Sequence, residues 1–122
     1  MENVKVRALA ARLSERKQQI ALTLNHLESE RSAMEKNTEW KDAIARQRRK
    51  SLLNYLNHWY VREMSEVDRA LERVSKDKYR ACAGCNGIIE ADWLKKFPTA
   101  EYCRPCQDVR KHPNSAHSAP PR

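Results

Sequence analysis

Val6-Arg7-Ala8-Leu9-Ala10-Ala11-Arg12-Leu13-Ser14-Glu15-Arg16-Lys17-Gln18-Gln19-Ile20 begins a ladder that continues through Leu27 and Met34, with an apolar residue at every seventh position. Leu9 and Leu24 fill flanking positions, and the rest is mostly charged or small. A stripe this narrow on a charged helix is a coiled-coil seam, and it stays exposed unless a second helix covers it. Leu53, Tyr60, Val67 and Val74 repeat the spacing, flanked by Leu56, Met64 and Leu71. Pairing Leu27 with Leu53, Leu24 with Leu56, Ile20 with Tyr60, Leu13 with Val67, Leu9 with Leu71 and Val6 with Val74 gives position numbers that add to 80 each time. The midpoint is Trp40, inside Asn37-Thr38-Glu39-Trp40-Lys41-Asp42, the least periodic segment and the best local turn and N-cap chemistry of the first 81 residues.

The spacing therefore predicts two antiparallel helices over 3–36 and 43–78, with a tip at 37–42. A continuous helix that dimerises is the competing arrangement. It would need the apolar ladder to persist between Met34 and Leu53, where only Ile44 appears, so a monomeric hairpin is expected. The second helix would run on the order of 55 Å at ~1.5 Å per residue. The expected fold class is all-α, an antiparallel two-helix coiled-coil hairpin with a small C-terminal C4 zinc ribbon.

Composition supports that division. The chain has 122 residues and a formal net charge of +8. All four cysteines, both glycines and all five prolines lie beyond residue 81, so the earlier part holds no helix breaker. Two glycines, Gly84 and Gly87, exclude a Gly-rich phosphate loop. No apolar run approaches the roughly 20 residues of a membrane span, and Met1 to Arg12 lack a signal-peptide core, so a cytoplasmic protein without membrane contact is expected. The expected organisation is a hairpin over 1–80, a zinc finger over 81–111 and a disordered Pro-, Ser- and Ala-containing tail over 112–122.

Cys82-Ala83-Gly84-Cys85 and Cys103-Arg104-Pro105-Cys106 are two Cys-x2-Cys knuckles seventeen residues from the second Cys to the third. Each knuckle turns two sulfurs toward one ion, and two knuckles complete a tetrahedral thiolate site. Two disulfides would use the same residues; the expected intracellular setting and the linker length favour one structural Zn2+. Four sulfurs leave no coordination position for water, so catalysis by the metal is not expected. Bound as Zn2+ with four thiolates, the site would bring the charge from +8 to about +6. Asn86-Gly87 provides flexible backbone after the first knuckle, and Ile88-Ile89 reads as a short strand. No Ser-His-Asp or His-Glu-x-x-His constellation occurs, and His26, His58, His112 and His117 sit in charged or tail segments; an enzyme is not expected.

A helical hairpin running into a four-cysteine finger resembles the DksA/TraR family of bacterial transcription regulators over roughly residues 3–110. Cys82, Cys85, Ile89, Pro98, Cys103 and Cys106 fall in the register of the family's finger pattern. Trp93 stands where that pattern has Arg, and Ala83 where an acidic residue or Ser is usual. The resemblance implies a protein that binds RNA polymerase through its secondary channel, with no direct DNA contact required. It places acidic tip residues near the catalytic centre; the family's Asp-x-x-Asp-x-Ala motif corresponds to Glu39, Asp42 and Ile44. Basic residues that serve guanosine tetraphosphate binding in longer members correspond to Glu66, Phe97 and Gln107, so no requirement for that alarmone is expected.

Trp40 at the tip, the basic run Arg46, Arg48, Arg49 and Lys50, and Trp59 are then candidate channel contacts. Without the resemblance, Glu39 and Asp42 read as solvated carboxylates near a helix N-terminus, and the basic run as a solvated face. Leu52, Tyr55 and Trp59 form a second apolar stripe, which either broadens the seam or meets the polymerase rim. Trp93 and Phe97 are expected to pack the finger against the hairpin base. The rival functions are an adaptor that uses the same architecture on another protein, for which the tip would be inert, and a nucleic-acid-binding zinc finger that depends on Arg46 to Lys50.

Overall fold

A computed structural model describes residues 2–36 and 43–111. Glu39, Trp40 and Asp42 of the expected tip, and the tail beyond 111, lie outside the described residues. The described elements are α1 (Glu2–Lys36), α2 (Ala43–Ser75), α3 (Ala91–Lys96) and α4 (Arg104–Lys111). No strand forms among them: the stretch expected as a strand contributes a single isolated antiparallel bridge, Ala81 to Ile88. The protein is all-α.

The chain groups into two compact units, one of residues 14–68 and one that joins 1–13 to the described residues from Arg69 onward. In the first, the heptad ladder is the core. Ile20 is fully buried, and Leu27, Leu53 and Val67 retain at most 5% of their surface. The face that a seven-residue period selects is thus the face that leaves water.

Polar residues interrupt this seam in a complementary way. One register of α1 reads Leu9, Arg16, Thr23, Glu30, and the facing register of α2 reads Arg49, Leu56, Glu63, Ala70, each at spacing seven. Arg16 donates from Nε to Glu63 Oε2 at 2.6 Å and from Nη2 to Oε1 at 2.7 Å, a two-pronged pair. Glu30 pairs with Arg49. Both pairs have position numbers adding to 79, one less than the apolar pairs, and their polarity is reversed between the helices. A slip of one heptad would set Arg16 beside Leu56 or Ala70 and leave Glu63 without its cation. Lys17 to Asp68 at 2.9 Å adds a flanking pair. Arg49 also holds the Glu30 carboxyl below the usual carboxylate range.

In the second unit Leu9, Leu13, Ala70, Tyr79, Cys82, Ile89 and Leu94 are buried. α2 ends at Ser75, three residues before the expected position, because the chain turns over Asp77 in the left-handed region (φ 58°). Lys78 N–H donates to Arg73 O at 2.8 Å and Asp77 N–H to Val74 O at 3.1 Å, the paired bonds of a Schellman ending. Asp is one of the few residues other than Gly to take this conformation readily, so Lys76-Asp77-Lys78 is a stop signal without glycine.

Replacing Arg16 by Ala is expected to lower stability by about 1 kcal/mol, the upper range for a partly exposed pair because this one is bidentate. The reversed pair R16E/E63R should recover most of that loss in urea unfolding followed by helical circular dichroism. Recovery is the informative result, since loss of Arg16 packing alone would not be rescued by a second charge change.

Candidate metal centre

The Schellman ending hands the chain to the first knuckle. Cys82 N–H donates to Gly87 O at 2.8 Å and Asn86 N–H to Cys82 O at 3.0 Å, closing the loop that carries Cys82 and Cys85. The left-handed residue is Asn86 (φ 62°), not Gly87. Gly87 is small for a different reason: a Cβ there would stand 3.2 Å from Cys85 Sγ. Gly84 is enclosed more tightly, with Cys106 Sγ at 3.2 Å and Tyr102 Cδ1 at 3.3 Å from the place a Cβ would take. The second knuckle runs into α4, where Gln107 N–H donates to Cys103 O at 2.8 Å. The Ala83 N–H to Glu101 O bond, 2.8 Å, ties one knuckle to the other.

These turns bring all four sulfurs within 4.8 Å of one another. Cys85 Sγ and Cys103 Sγ are 3.8 Å apart, and all four cysteines are free thiols. A disulfide needs about 2.05 Å, whereas a tetrahedron of sulfurs at ~2.3 Å from a central ion has edges of ~3.8 Å. The spacing fits a shared cation.

The backbone prepares the sulfurs for negative charge. Cys82 Sγ accepts from Gly84 N–H at 3.3 Å and from Cys103 N–H at 3.2 Å, and Cys85 Sγ accepts from Gly87 N–H at 3.4 Å. Burial pushes the Cys82 thiol up, but the N–H groups of Cys103, Cys85 and Gly84 together outweigh it and bring it to about 6. Cys106 moves the other way, to about 12, because it shares hydrogen bonds with Cys103 and Cys82 beside it. Four thiolates this close require a positive ion among them.

Three groups from α2 and its end hold the module. Arg73 donates from Nη2 to Ala100 O at 2.8 Å, Arg69 Nε meets Glu101 Oε2 at 2.9 Å, and Tyr79 Oη donates to Pro98 O at 2.7 Å. Sequence reasoning missed this clamp on the 98–101 loop. Its only sequence signal is the Arg69, Arg73 spacing of four, which puts two cations on one helix face. Trp93 packs against Phe97 with the rings tilted by 53° and their centroids 4.7 Å apart, and Arg104 lies 5.7 Å over Trp93. Arg12 of α1 donates from Nη1 to Lys95 O at 3.3 Å.

The other expected site residues that the structure describes belong to the unit of residues 14–68. Ile44 is 66% exposed, Trp59 is 51% exposed, and Arg46, Arg48 and Lys50 are exposed. Arg49 of the basic run is engaged across the seam, with Glu30. The Leu52, Tyr55, Trp59 stripe does not broaden the seam, since all three are at least 45% exposed.

No family model matches the sequence. Among solved structures, transcription factor DksA2 from Pseudomonas aeruginosa superposes with a TM-score of 0.81, covering 88% of this chain and 84% of that one at 18% identity. The fold is DksA-like. An uncharacterized protein of Aquifex aeolicus is 29% identical over 70 residues, 57% of this chain. The aligned stretch is 48% of that protein, so the chain spans about half the length of the curated relative it matches. The DksA-like fold agrees with the resemblance read from the cysteine register. Among the described residues no helix is long and apolar enough to cross a membrane.

Gly84→Ala is expected to weaken Co2+ binding by about tenfold or more, read from the cobalt–thiolate absorption in a titration, because the new methyl pushes on the Cys106 sulfur. A second expectation concerns alkali. Burial raises the Tyr79 phenol to about 12, above its unfolded value of roughly 10. Its contribution is therefore whole below pH ~10 and is lost as pH rises toward 12. Phenolate absorbance should show one tyrosine ionising near pH 12, absent in Tyr79→Phe.

Proposed function

We propose that this protein is a non-enzymatic transcription regulator that binds bacterial RNA polymerase directly. The observation that supports this most is the DksA-like fold, matched to a transcription factor over 88% of the chain. In this reading residues 1–80 form a probe that enters the secondary channel, 81–111 form a finger at its base, and 112–122 are a tail. Glu39 and Asp42 would approach the active centre, with Ile44 just behind them at the start of α2. The protein acts as a cytoplasmic monomer, with no need for direct DNA contact or a membrane.

One Zn2+ on Cys82, Cys85, Cys103 and Cys106 is the cofactor of this reading. The sulfur spacing and the N–H groups aimed at Cys82 and Cys85 support a soft tetrahedral ion. Bound there, it supplies the cross-link that a segment of this size needs in place of a large apolar core. The chain's residues do the rest: Arg73, Arg69 and Tyr79 fix the loop that presents the second knuckle.

The reading includes no requirement for guanosine tetraphosphate. Glu66, Phe97 and Gln107 offer that anion no cation, and Phe97 is engaged with Trp93.

Competition for purified core RNA polymerase against a Gre-type cleavage factor tests the proposal. The zinc-loaded protein is expected to bind at micromolar concentration or tighter and to exclude the cleavage factor, with affinity unchanged by guanosine tetraphosphate. Glu39→Ala with Asp42→Ala should then abolish the effect on transcription while leaving binding in place. Simultaneous binding of both proteins would contradict the secondary-channel reading, and an effect that survives the tip changes would favour an adaptor.

A further inference from the structure

Arg73 stands in the last turn of α2, in the same compact unit as the four cysteines. Its side chain is 19% exposed, deep for an arginine. Nη2 donates to Ala100 O at 2.8 Å and Nη1 lies 3.6 Å from Glu101 Oε2, while Nε is buried with no acceptor among the described residues. Burial holds the guanidinium pKa below the usual arginine value, against the opposing pull of Glu101. For stability alone this is a poor choice of residue. A buried donor without a partner is unfavourable, and an unbranched apolar side chain such as Met would fill similar space without it.

The same residue stands where the routes to both knuckles begin. Its carbonyl accepts the Lys78 N–H at 2.8 Å, the bond that turns the chain out of α2, and Cys82 follows four residues later. Its guanidinium holds the carbonyl of Ala100, three residues before Cys103. The two routes then meet again, since Ala83 N–H donates to Glu101 O at 2.8 Å and Cys103 N–H to Cys82 Sγ at 3.2 Å. The result is a closed circuit of hydrogen bonds through both pairs of sulfurs. Any residue at position 73 supplies the carbonyl link; only a long cationic side chain supplies the other. Tyr79 grips the loop further back, at Pro98 O, and Arg69 grips a side chain, so neither replaces the backbone hold beside the second knuckle.

We propose that Arg73 is a positioning residue of the metal centre, setting the second knuckle against the first so that its buried guanidinium serves metal affinity rather than stability. The proposal rests on the reading of the four cysteines as a metal site. Groups one shell out from metal ligands typically change affinity by about 10- to 100-fold. Linkage makes the effect reciprocal: whatever Arg73 adds to metal binding, the metal adds to the order of the last turn of α2.

Full-length protein titrated with Co2+ in competition with a chelator provides the test, read from the cobalt–thiolate absorption. Arg73→Met and Arg73→Gln are each expected to weaken Co2+ by about tenfold or more. Arg73→Lys, which can still donate to Ala100 O, should recover part of that loss. Arg16→Ala is the control, because it weakens the hairpin in the other unit and should leave Co2+ affinity unchanged. Hydrogen exchange of the amides from 74 to 78 should slow several-fold when metal is added to the wild-type protein, and less in Arg73→Met. Circular dichroism checks that each variant is folded. Wild-type Co2+ affinity in a folded Met or Gln variant overturns the proposal and leaves the metal reading standing. An equal loss in Arg16→Ala overturns it too, since any destabilisation would then suffice, as does metal-dependent protection that is the same with and without the guanidinium. Failure of the wild-type protein to bind Co2+ overturns both the proposal and the metal reading.

Discussion

The register of α1 on α2 within residues 14–68 is the constraint on which the pairing depends. An apolar ladder of period seven specifies that two helices pair but tolerates shifts of whole heptads, because Leu meets Leu or Val in each. Arg16 with Glu63 and Glu30 with Arg49 remove that freedom. Each pair is partly exposed and contributes modestly to stability, yet a shifted alignment buries a charge against Leu56 or Ala70. The opposite polarity of the two pairs does further work, since a parallel alignment of the same segments would set Arg16 against Arg49 and Glu30 against Glu63. The pairs act on specificity more than on stability.

The cysteine module solves a different problem. It contains two helices of six and eight residues and a single bridge, too little to bury a core of its own. Its order comes from sulfurs gathered by backbone turns and from a loop gripped by Arg69, Arg73 and Tyr79. Glu101 joins the two devices: its carboxylate takes Arg69, and its carbonyl takes the Ala83 N–H of the first knuckle. Placement of the four cysteines is therefore coupled to α2.

Much of this was legible in the sequence because it rests on period and spacing. The seven-residue ladder named the buried face, and Cys-x2-Cys twice over named residues whose sulfurs gather within 4.8 Å. What stayed hidden depends on partners distant in sequence. Nothing local marks Arg73 as the donor to Ala100, and the helix stop at Asp77 lacks the glycine that normally signals it. The Arg16 and Glu63 pair also went unread, because nothing local marks a polar residue at the seam with its partner across it. Leu52, Tyr55 and Trp59 illustrate the converse: apolar character left open whether they broaden the seam or meet a partner, and their angular position on α2 turns them outward.

A hairpin held in one register and a module fixed to α2 by its loop clamp form the scaffold of the proposed regulator, with Ile44 exposed at the beginning of α2. In the proposed function this end of the hairpin reaches the catalytic centre of RNA polymerase. Photo-crosslinking from a reactive amino acid installed at position 44, in complex with core polymerase, tests it most directly. Crosslinks to segments lining the secondary channel beside the active site are expected, suppressed by a Gre-type factor. Crosslinks confined to the outer surface of the enzyme would contradict it.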